Sequence, residues 1–441
     1  MWNKRRRLTA VIGAGLALAV LVLVLAPLFV GGDRFKPQLE AAASKALGME
    51  VRISGRVAIA IFPRPRVTLH DGSILGAEGD TVASAKETAL GLAMLPLLRR
   101  ELRLVDVGLS APDIRVERAE DGHSNLDSLA RAILRLGILE GASITITDGS
   151  VRYVDHGGRG ATKAGTHVFA TQVRAKMTAK ARYFVIDPMT ARLYGGTLRG
   201  SLSADLAGKT PHTELDLTLS SFRIEQFLAA FSSEPGAEGA MDFTAKLTTH
   251  GTSLGSSLPS LSGDVSLRGR NLVLRGNDLD RALSRYKSSQ TFHLVDVGAM
   301  FLAGPMGLAV SRGYSFSGLL RGADGTTPIP VLVSDWKVEN GIAHARDVAL
   351  STLNNRIALQ GDLDFVHERF EDVTFAAVDA QGRVKVQQTI RGPFAKPEVD
   401  RPNFLESAAG PVLGLFRNTR RVLPGGERVV FYAGSVSPPK Q

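Results

Sequence analysis

The chain has 441 residues, a formal net charge of +10 and no cysteine. Without cysteine it can form no disulfide, thiolate zinc site or iron–sulfur cluster, no lipoprotein anchor and no cysteine nucleophile. Aromatic residues make up only 6% of the chain. A nucleic-acid-binding protein is expected to combine clustered Lys and Arg with interleaved aromatics, so the composition argues against nucleic acid as a partner.

An apolar run without a charge extends from Leu8 to Val30 and includes Leu16, Leu21 and Leu25. As a helix it would span roughly 35 Å, enough to cross a bilayer core of about 30 Å with some tilt. Four basic residues precede it, namely Lys4, Arg5, Arg6 and Arg7. We therefore predict a membrane anchor.

Cationic residues stay on the cytoplasmic side of a membrane, so the N-terminus should lie inside the cell and the bulk of the chain outside. The predicted organisation is a tip and anchor over residues 1–30, followed by a β-rich exported region over residues 31–441 with a soft division near residues 232–262. The alternative is a cleaved signal peptide, whose apolar core is usually about 7–15 residues and ends at small residues. This run is longer and ends in Pro27-Leu28-Phe29-Val30.

Helical spacing of apolar residues predicts a short helix from Phe35 to Leu47, ending at Gly48. Further short helices are predicted at Leu95 to Arg100, Leu126 to Leu136, Ile224 to Phe231, Leu279 to Tyr286 and Phe404 to Arg420.

From Met49 onward the apolar residues alternate with polar ones, which is the period of a strand with one apolar face. The alternating runs are Val57, Ile59 and Ile61; Ile144 and Ile146; Leu215, Leu217 and Leu219; Phe243, Ala245 and Leu247; Val265 and Leu267; Leu363 and Phe365; and Val384 and Val386. The fold class predicted is mainly β, with a long, curved antiparallel sheet of about 18 to 24 strands and a few short helices.

Tight antiparallel connections are predicted between the strands. The turn signals are Pro63-Arg64-Pro65, Asp71-Gly72, Asp121-Gly122, Asp148-Gly149, Gly157-Gly158, Gly195-Gly196, Glu339-Asn340-Gly341 and Gln381-Gly382.

A sheet with one apolar face must be covered by a second sheet, closed into a barrel, or covered by something other than protein. About 20 strands at 4.8 Å spacing would make a trough on the order of 100 Å long, and acyl chains would suit its apolar lining. The predicted lining residues are Val57, Ile59, Ile61, Ile144, Ile146, Leu215, Leu217, Leu219, Phe243, Leu247, Val265 and Leu267. A two-sheet sandwich with a dry core remains the alternative.

No pattern in the chain demands catalysis. Gly251-Thr252-Ser253-Leu254-Gly255 matches a nucleophile elbow, but no helix is predicted to follow it. The nine histidines lack the close spacing of helical zinc motifs. Alternating acids such as Asp187, Asp205, Asp216 and Asp242 fit the polar face of strands better than a catalytic pair. We therefore predict no enzyme activity, no cofactor, and no catalytic or metal-binding residues.

The chain resembles the AsmA family of envelope proteins. The resemblance rests on the anchor, the helix ending at Leu47-Gly48 and several local motifs. These motifs are Val51 to Gly55, Phe62 to Pro65, Leu193-Tyr194-Gly195-Gly196-Thr197-Leu198, Leu279-Asp280-Arg281, Val295-Asp296-Val297-Gly298 and Gly392-Pro393-Phe394.

The resemblance implies a single-pass bacterial inner-membrane protein with its bulk in the periplasm and a role in outer-membrane biogenesis or integrity. The related TamB and chorein-type proteins suggest a groove that conducts phospholipid. The expected partners are the inner membrane, phospholipids and envelope or outer-membrane assembly proteins. The alternative is a scaffold with a dry core that influences outer-membrane protein insertion.

Overall fold

A computed structural model describes most of the chain beyond the N-terminal run. The described residues are 32–76, 79–98, 103–119, 124–125, 141–155, 166–180, 182–208, 210–229, 236–251, 254–275, 278–281, 283, 325–400, 403–404 and 430–439. They form 20 strands and a few short helices, which confirms the mainly β fold class. Among them no helix combines the length and apolar character needed to cross a membrane. The predicted anchor, Leu8 to Val30, lies outside the described residues.

The strands are β1 (Glu50–Ile53), β2 (Val57–Ala60), β3 (Arg66–Leu75), β4 (Thr81–Leu92), β5 (Leu104–Arg118), β6 (Ser143–Asp155), β7 (Thr166–Lys180), β8 (Tyr183–Leu193), β9 (Gly196–Asp205), β10 (His212–Arg223), β11 (Ala237–Glu238), β12 (Ala240–His250), β13 (Ser262–Arg275), β14 (Thr326–Glu339), β15 (Ile342–Ser351), β16 (Arg356–Asp364), β17 (Arg369–Val378), β18 (Val384–Pro393), β19 (Glu398–Val399) and β20 (Asn403–Phe404). The α-helices are α1 (Lys36–Leu47), α2 (Met94–Leu98), α3 (Ile224–Ala229) and α4 (Leu254–Ser257), with 3-10 turns at Gly32–Phe35 and Leu258–Ser260.

The chain divides into two compact units, and the division falls within β9. Unit 1 comprises Met1–Gly157, Gly165–Leu193 and Arg199–Lys209. Unit 2 comprises Gly158–Ala164, Tyr194–Leu198 and Thr210–Gln441.

In unit 1, β1 and β2 both pair with β3, and pairing then runs in chain order from β3 to β8. The predicted hairpin around Pro63-Arg64-Pro65 is confirmed, because β2 pairs antiparallel with β3. The prediction of an entirely antiparallel sheet is wrong at one place, since β5 and β6 are parallel. Parallel neighbours need a long connection, and residues 119–142 supply one.

Helix α1 closes the free edge of unit 1. It ends where predicted, at Gly48, whose φ of 68° is the left-handed conformation of a glycine cap. Ser44 and Glu40 lie one helical turn apart and accept the edge amides of Val51 and Ile53, at 2.8 and 2.7 Å. These bonds occupy edge amides that could otherwise pair with another strand.

In unit 2, β10 pairs with β12, and antiparallel pairing continues through β13 to β18. The two-residue strands β19 and β20 cover part of the last edge. The turns predicted at Asn340-Gly341 and Gln381-Gly382 are confirmed.

Two predicted turns are wrong. Asp71-Gly72 lies within β3 and Asp148-Gly149 within β6. Asp71 and Asp148 have φ of 50° and 54°, and two other mid-strand residues of unit 1, Ala111 and Gln172, have φ of 47° and 51°. Asp71 and Asp148 therefore occupy irregular strand positions, which use the same positive-φ conformation as a tight turn.

The predicted helices have mixed outcomes. Those predicted from Leu95 and Ile224 are confirmed as α2 and α3, with slightly different ends. Residues 278–281 are helical in part, where a helix was predicted from Leu279. Phe404 belongs to β20 rather than to a helix. Leu126 to Leu136 and the rest of the last predicted helix lie outside the described residues.

Candidate functional site

Two adjacent rows of apolar residues cross the sheet of unit 1. Cross-strand partners share a face of a sheet, so the pairing alone defines each row. The first row contains Ile59, Val67, Leu90, Val107, Ile144, Met177 and Ile186, one from each strand from β2 to β8. Seven strands at about 4.8 Å spacing make this row roughly 30 Å long.

The second row lies two residues along each strand from β2 to β7, and three residues along β8, where the register with β7 shifts between Ala175 and Met177. It contains Val57, Leu69, Thr88, Leu109, Ile146, Ala175 and Met189. Four of the predicted lining residues, Val57, Ile59, Ile144 and Ile146, therefore lie together on one face. Ile61 lies just beyond the end of β2.

The apolar face of unit 1 is incompletely covered. All seven residues of the first row are intermediate in exposure, and in the second row only Val57 is buried. The intervening residues, which point to the opposite face, are Ala58, Thr68, Ala89, Gly108, Thr145 and Lys176. One face of this sheet is therefore apolar and half-exposed, and the opposite face carries small and polar side chains. An apolar surface left exposed in this way is typical of a binding site.

The other seven predicted lining residues also share one face, in unit 2. Leu215 pairs with Leu247, Leu217 with Ala245 and Leu219 with Phe243. Ala245 and Phe243 pair in turn with Val265 and Leu267. Leu219, Phe243, Val265 and Leu267 retain only 4–6% exposure, whereas Leu215, Leu217 and Leu247 are half-buried.

The packing of unit 2 tightens from β13 onward. Trp336, the partner of Val265, is 2% exposed, and Leu332, Ile357 and Leu363 are fully buried. This part of unit 2 therefore has a dry core of ordinary kind.

The opposite face of unit 2 carries acidic side chains beside Lys or His side chains on neighbouring strands. Their closest atoms are 2.9–3.3 Å apart in the pairs Asp216–Lys246, Asp264–Lys337 and Asp362–His344. Asp216 thus has an ion-pair partner, and Asp242 accepts the amide of Ser221 at 2.8 Å. Such exposed pairs contribute little to stability, about 0–1 kcal/mol each, but they mark this face as the one that meets water.

Part of the same face is apolar and is covered by the C-terminal segment (residues 430–439). Ala349, Ala358 and Ala376 are direct partners on three adjacent strands, and Val333 and Val378 flank them. Tyr432 and Val436 of the C-terminal segment pack on this patch and are 6% and 1% exposed. The small alanine side chains allow the segment to approach closely.

Polar contacts hold the C-terminal segment in place. The Tyr432 hydroxyl donates to Asp347 at 2.5 Å and accepts the Val436 amide at 3.0 Å. The Arg356 guanidinium donates to the Val436 carbonyl at 2.9 Å, and its Cζ lies 5.3 Å from the centre of the Tyr432 ring. Burial raises the pKa of Asp347, but hydrogen bonds from Ser435 and Tyr432 outweigh it, so the net pKa lies below the ordinary value.

Comparison with known families identifies the chain. The model of the AsmA family matches residues 2–132 and 161–347, well over half of the sequence. The chain belongs to the AsmA family. Comparison with curated proteins gives no match. The apolar run Leu8 to Val30 and all the quoted family motifs lie within the match, except Gly392-Pro393-Phe394, which follows it.

The AsmA family motifs that the structure describes perform packing roles. Tyr194 and Gly195 have φ of 50° and 76° and form the turn after β8, while the Tyr194 ring packs edge-on against Phe227 at 5.3 Å. Burial raises the pKa of Tyr194 to about 12. Phe394 is 2% exposed and contacts the ring of Phe370, with centroids 4.8 Å apart. Val295 to Gly298 lies outside the described residues.

Asp280 of the Leu-Asp-Arg motif holds the β15–β16 connection. Its carboxylate accepts hydrogen bonds from Thr352 at 2.6 Å, Asn355 at 2.7 Å and Asn354 at 3.1 Å. Three donors on one short loop fix both the loop and the segment that carries Asp280.

The structure brings no metal-ligand cluster together in the residues it describes. His212 and His250 are cross-strand partners with ring centroids 4.4 Å apart. Their separation in the sequence gave no indication of this contact. The prediction that no helix follows the Gly251–Gly255 motif is wrong, because the four-residue helix α4 begins at Leu254. Ser253 itself lies outside the described residues, as does the apolar stretch Leu294 to Val310.

Sequence reasoning missed most of the apolar rows of unit 1. Leu90, Val107, Leu109, Met177 and Ile186 were not among the predicted lining residues. In β7 the alternation changes phase at Gln172, whose φ is 51°, so a strict period of two fails along this strand. Val107 and Leu109 alternate with Asp106 and Gly108, so a search for period-two alternation over residues 105–109 would have found these two.

Proposed function

We propose that this AsmA family protein is anchored in the bacterial inner membrane by Leu8 to Val30, with its bulk in the periplasm, and that it binds phospholipid acyl chains on the apolar face of unit 1. Family membership is consistent with a role in envelope and outer-membrane biogenesis. The proposed lipid binding is a non-enzymatic contribution to that role.

The half-exposed apolar rows of unit 1 are the observation that carries this proposal. A row of roughly 30 Å exceeds the depth of one leaflet of a bilayer, about 15 Å, so it can accommodate an acyl chain lying across the strands. Acyl chains gain about 0.8 kcal/mol for each CH₂ removed from water. The half-buried residues Leu215, Leu217 and Leu247 of unit 2 provide a similar but smaller surface.

Site-specific photo-crosslinking tests the proposal. The photoreactive residue p-benzoylphenylalanine would replace Ile144 or Thr145 in the full chain in living cells. These are neighbours in β6, but Ile144 lies in the apolar row whereas Thr145 is exposed on the opposite face. After irradiation and purification, mass spectrometry would detect phospholipid adducts.

We expect phospholipid adducts at Ile144 and none above background at Thr145. Equal yields at the two positions, or no adduct at Ile144, would contradict lipid binding on this face. The comparison is matched because the two positions differ by one residue and by the face they occupy.

The dry core of unit 2 favours a second candidate function, that of an assembly scaffold for outer-membrane proteins. Trp336, Leu363 and their neighbours leave no room for lipid in that part of unit 2. Under this function Ile144 would crosslink to a protein partner in the envelope and not to lipid. The same experiment therefore separates the two functions.

A further inference from the structure

Exposed apolar side chains concentrate at one end of unit 1. Phe62 and Leu95 are 69% and 78% exposed, unusual values for large apolar residues. Three more large side chains with over two fifths of their surface exposed share this end, namely Met94, Val105 and Tyr183. None of these residues belongs to the apolar rows described above.

Backbone hydrogen bonds place these residues at the same end of the strands. The Leu92 amide donates to Pro65 and the Ala93 amide to Arg103, both at 2.9 Å, which joins the β2–β3 turn to α2 and to the start of β5. Ser143, at the start of β6, is opposite both Asp106 and Thr178. The β7–β8 turn before Tyr183 therefore lies at this end as well.

The same end is basic. Besides Arg66, its exposed cations among the described residues are Arg64, Arg103, Lys180 and Arg182. Asp106 is already paired with Arg66, with 3.3 Å between Nη2 and Oδ2. Among the described residues Asp205 of β9 is a second acid at this end, because the amide of its neighbour Leu206 donates to the Arg182 carbonyl. We call Phe62, Arg64, Met94, Leu95, Arg103, Val105, Lys180, Arg182 and Tyr183 the docking end.

The N-terminal part of the chain leads toward the docking end. The edge amide of Val51 bonds to Ser44, that of Ile53 to Glu40 and that of Val57 to Asp33. Following the chain backward from Ser44 to Asp33 thus runs along the sheet edge in the direction of Phe62. Gly32 lies against Val57, and the apolar run ends only two residues earlier.

We propose that the docking end inserts into the headgroup region of the membrane that holds the anchor, with its apolar side chains at the acyl boundary and its cations against anionic lipid headgroups. Aromatic and long apolar side chains flanked by Lys and Arg are enriched in protein segments that lie at membrane interfaces. Basic residues near an anionic surface add further attraction. This inference rests on the proposed anchor.

Spin labels on the full chain in lipid nanodiscs test the inference. The chain contains no cysteine, so a single introduced cysteine carries the only label. The variants are Phe62→Cys and Leu95→Cys, with Glu117→Cys as the control, because Glu117 is exposed at the opposite end of β5. The nanodiscs would contain phosphatidylethanolamine and phosphatidylglycerol, and collisions with oxygen and with a water-soluble nickel chelate would be measured.

We expect a higher oxygen-to-nickel collision ratio at positions 62 and 95 than at 117, because oxygen concentrates in lipid and the chelate in water. If the chain stays with the discs but the ratios at positions 62 and 95 equal that at position 117, the proposed membrane insertion of the docking end is overturned, whereas the proposed anchor is not. A chain that does not stay with the discs would overturn both the anchor and the docking end. Low accessibility to both reagents would show burial in protein and would also overturn the inference.

The role of the cations has its own test. In the Leu95→Cys background, Arg64→Glu with Arg103→Glu should lower the oxygen-to-nickel ratio at position 95. An unchanged ratio would overturn the assignment of these two residues to headgroup contact.

Discussion

Replacing Ile144 by Asp should abolish lipid binding on the face of unit 1 while leaving the fold intact. Full burial of an isoleucine side chain is worth about 1.5–3 kcal/mol, and Ile144 is only partly buried, so the substitution should cost about 1 kcal/mol of stability. A carboxylate among acyl chains costs about 3 kcal/mol. That figure corresponds to a fall in lipid affinity of about a hundredfold.

Phe243→Asp is the informative contrast, because Phe243 is a predicted lining residue that is 6% exposed. Removing a buried Phe costs about 3–5 kcal/mol before the desolvation of the new carboxylate is added. Domains are stable by only about 5–15 kcal/mol, so unit 2 should unfold or nearly so. Trp336 is 2% exposed in the same unit and reports its unfolding by fluorescence.

The assay combines two measurements on the full chain. Urea titration, followed by circular dichroism and by Trp336 fluorescence, measures stability. Photo-crosslinking from Met177, the cross-strand partner of Ile144, measures lipid contact. Thr145→Asp is the matched control, and it should change neither. The reasoning would be refuted if Ile144→Asp destabilised the protein as much as Phe243→Asp, or if lipid adducts at Met177 persisted.

Three further predictions concern stability. Tyr432→Phe removes the hydroxyl that bonds to Asp347, so it should cost about 1–3 kcal/mol and release the C-terminal segment to limited proteolysis; an unchanged cleavage pattern would contradict this. The pKa of Asp347 is lowered in the folded protein, so its ionised carboxylate should stabilise the fold fully above about pH 4. This contribution to the free energy of unfolding should be lost as the pH falls through the folded pKa. Urea midpoints measured at pH 6, 4 and 3 should therefore fall more steeply in the wild type than in Tyr432→Phe. Gly196→Ala should lower the urea midpoint, because the new Cβ would lie 2.6 Å from the Ser220 carbonyl oxygen. Gly72→Ala is the control, since its Cβ meets nothing within 4 Å. Equal losses in the two variants would show that the steric explanation is mistaken.

The local elements were predictable because their causes are local. The strands around Ile144, Leu217 and Val265 follow from the alternation of apolar and polar residues, and α1 from helical spacing and a glycine cap. The candidate lining residues could be grouped by face for the same reason, since alternate residues on a strand share a face.

Other features could not be predicted because they depend on distant residues. The parallel pairing of β5 with β6 depends on which edge the chain returns to after residues 119–142. The phase changes at Ala111, Asp148 and Gln172, which have φ of 47–54°, interrupt the period that identifies a strand. The C-terminal segment finds its place through Asp347 and Arg356, which lie 80 or more residues earlier in the chain.

The sequence by itself therefore determined a β-rich chain that belongs to the AsmA family, with an apolar run at its N-terminus and strands that each have one apolar side. Only the tertiary structure decided how well those sides are covered: half-exposed across β2 to β8, buried from β13 onward. The reason is that periodicity reports the direction in which a side chain points, whereas coverage depends on what packs against it, and that is a property of residues far apart in the chain.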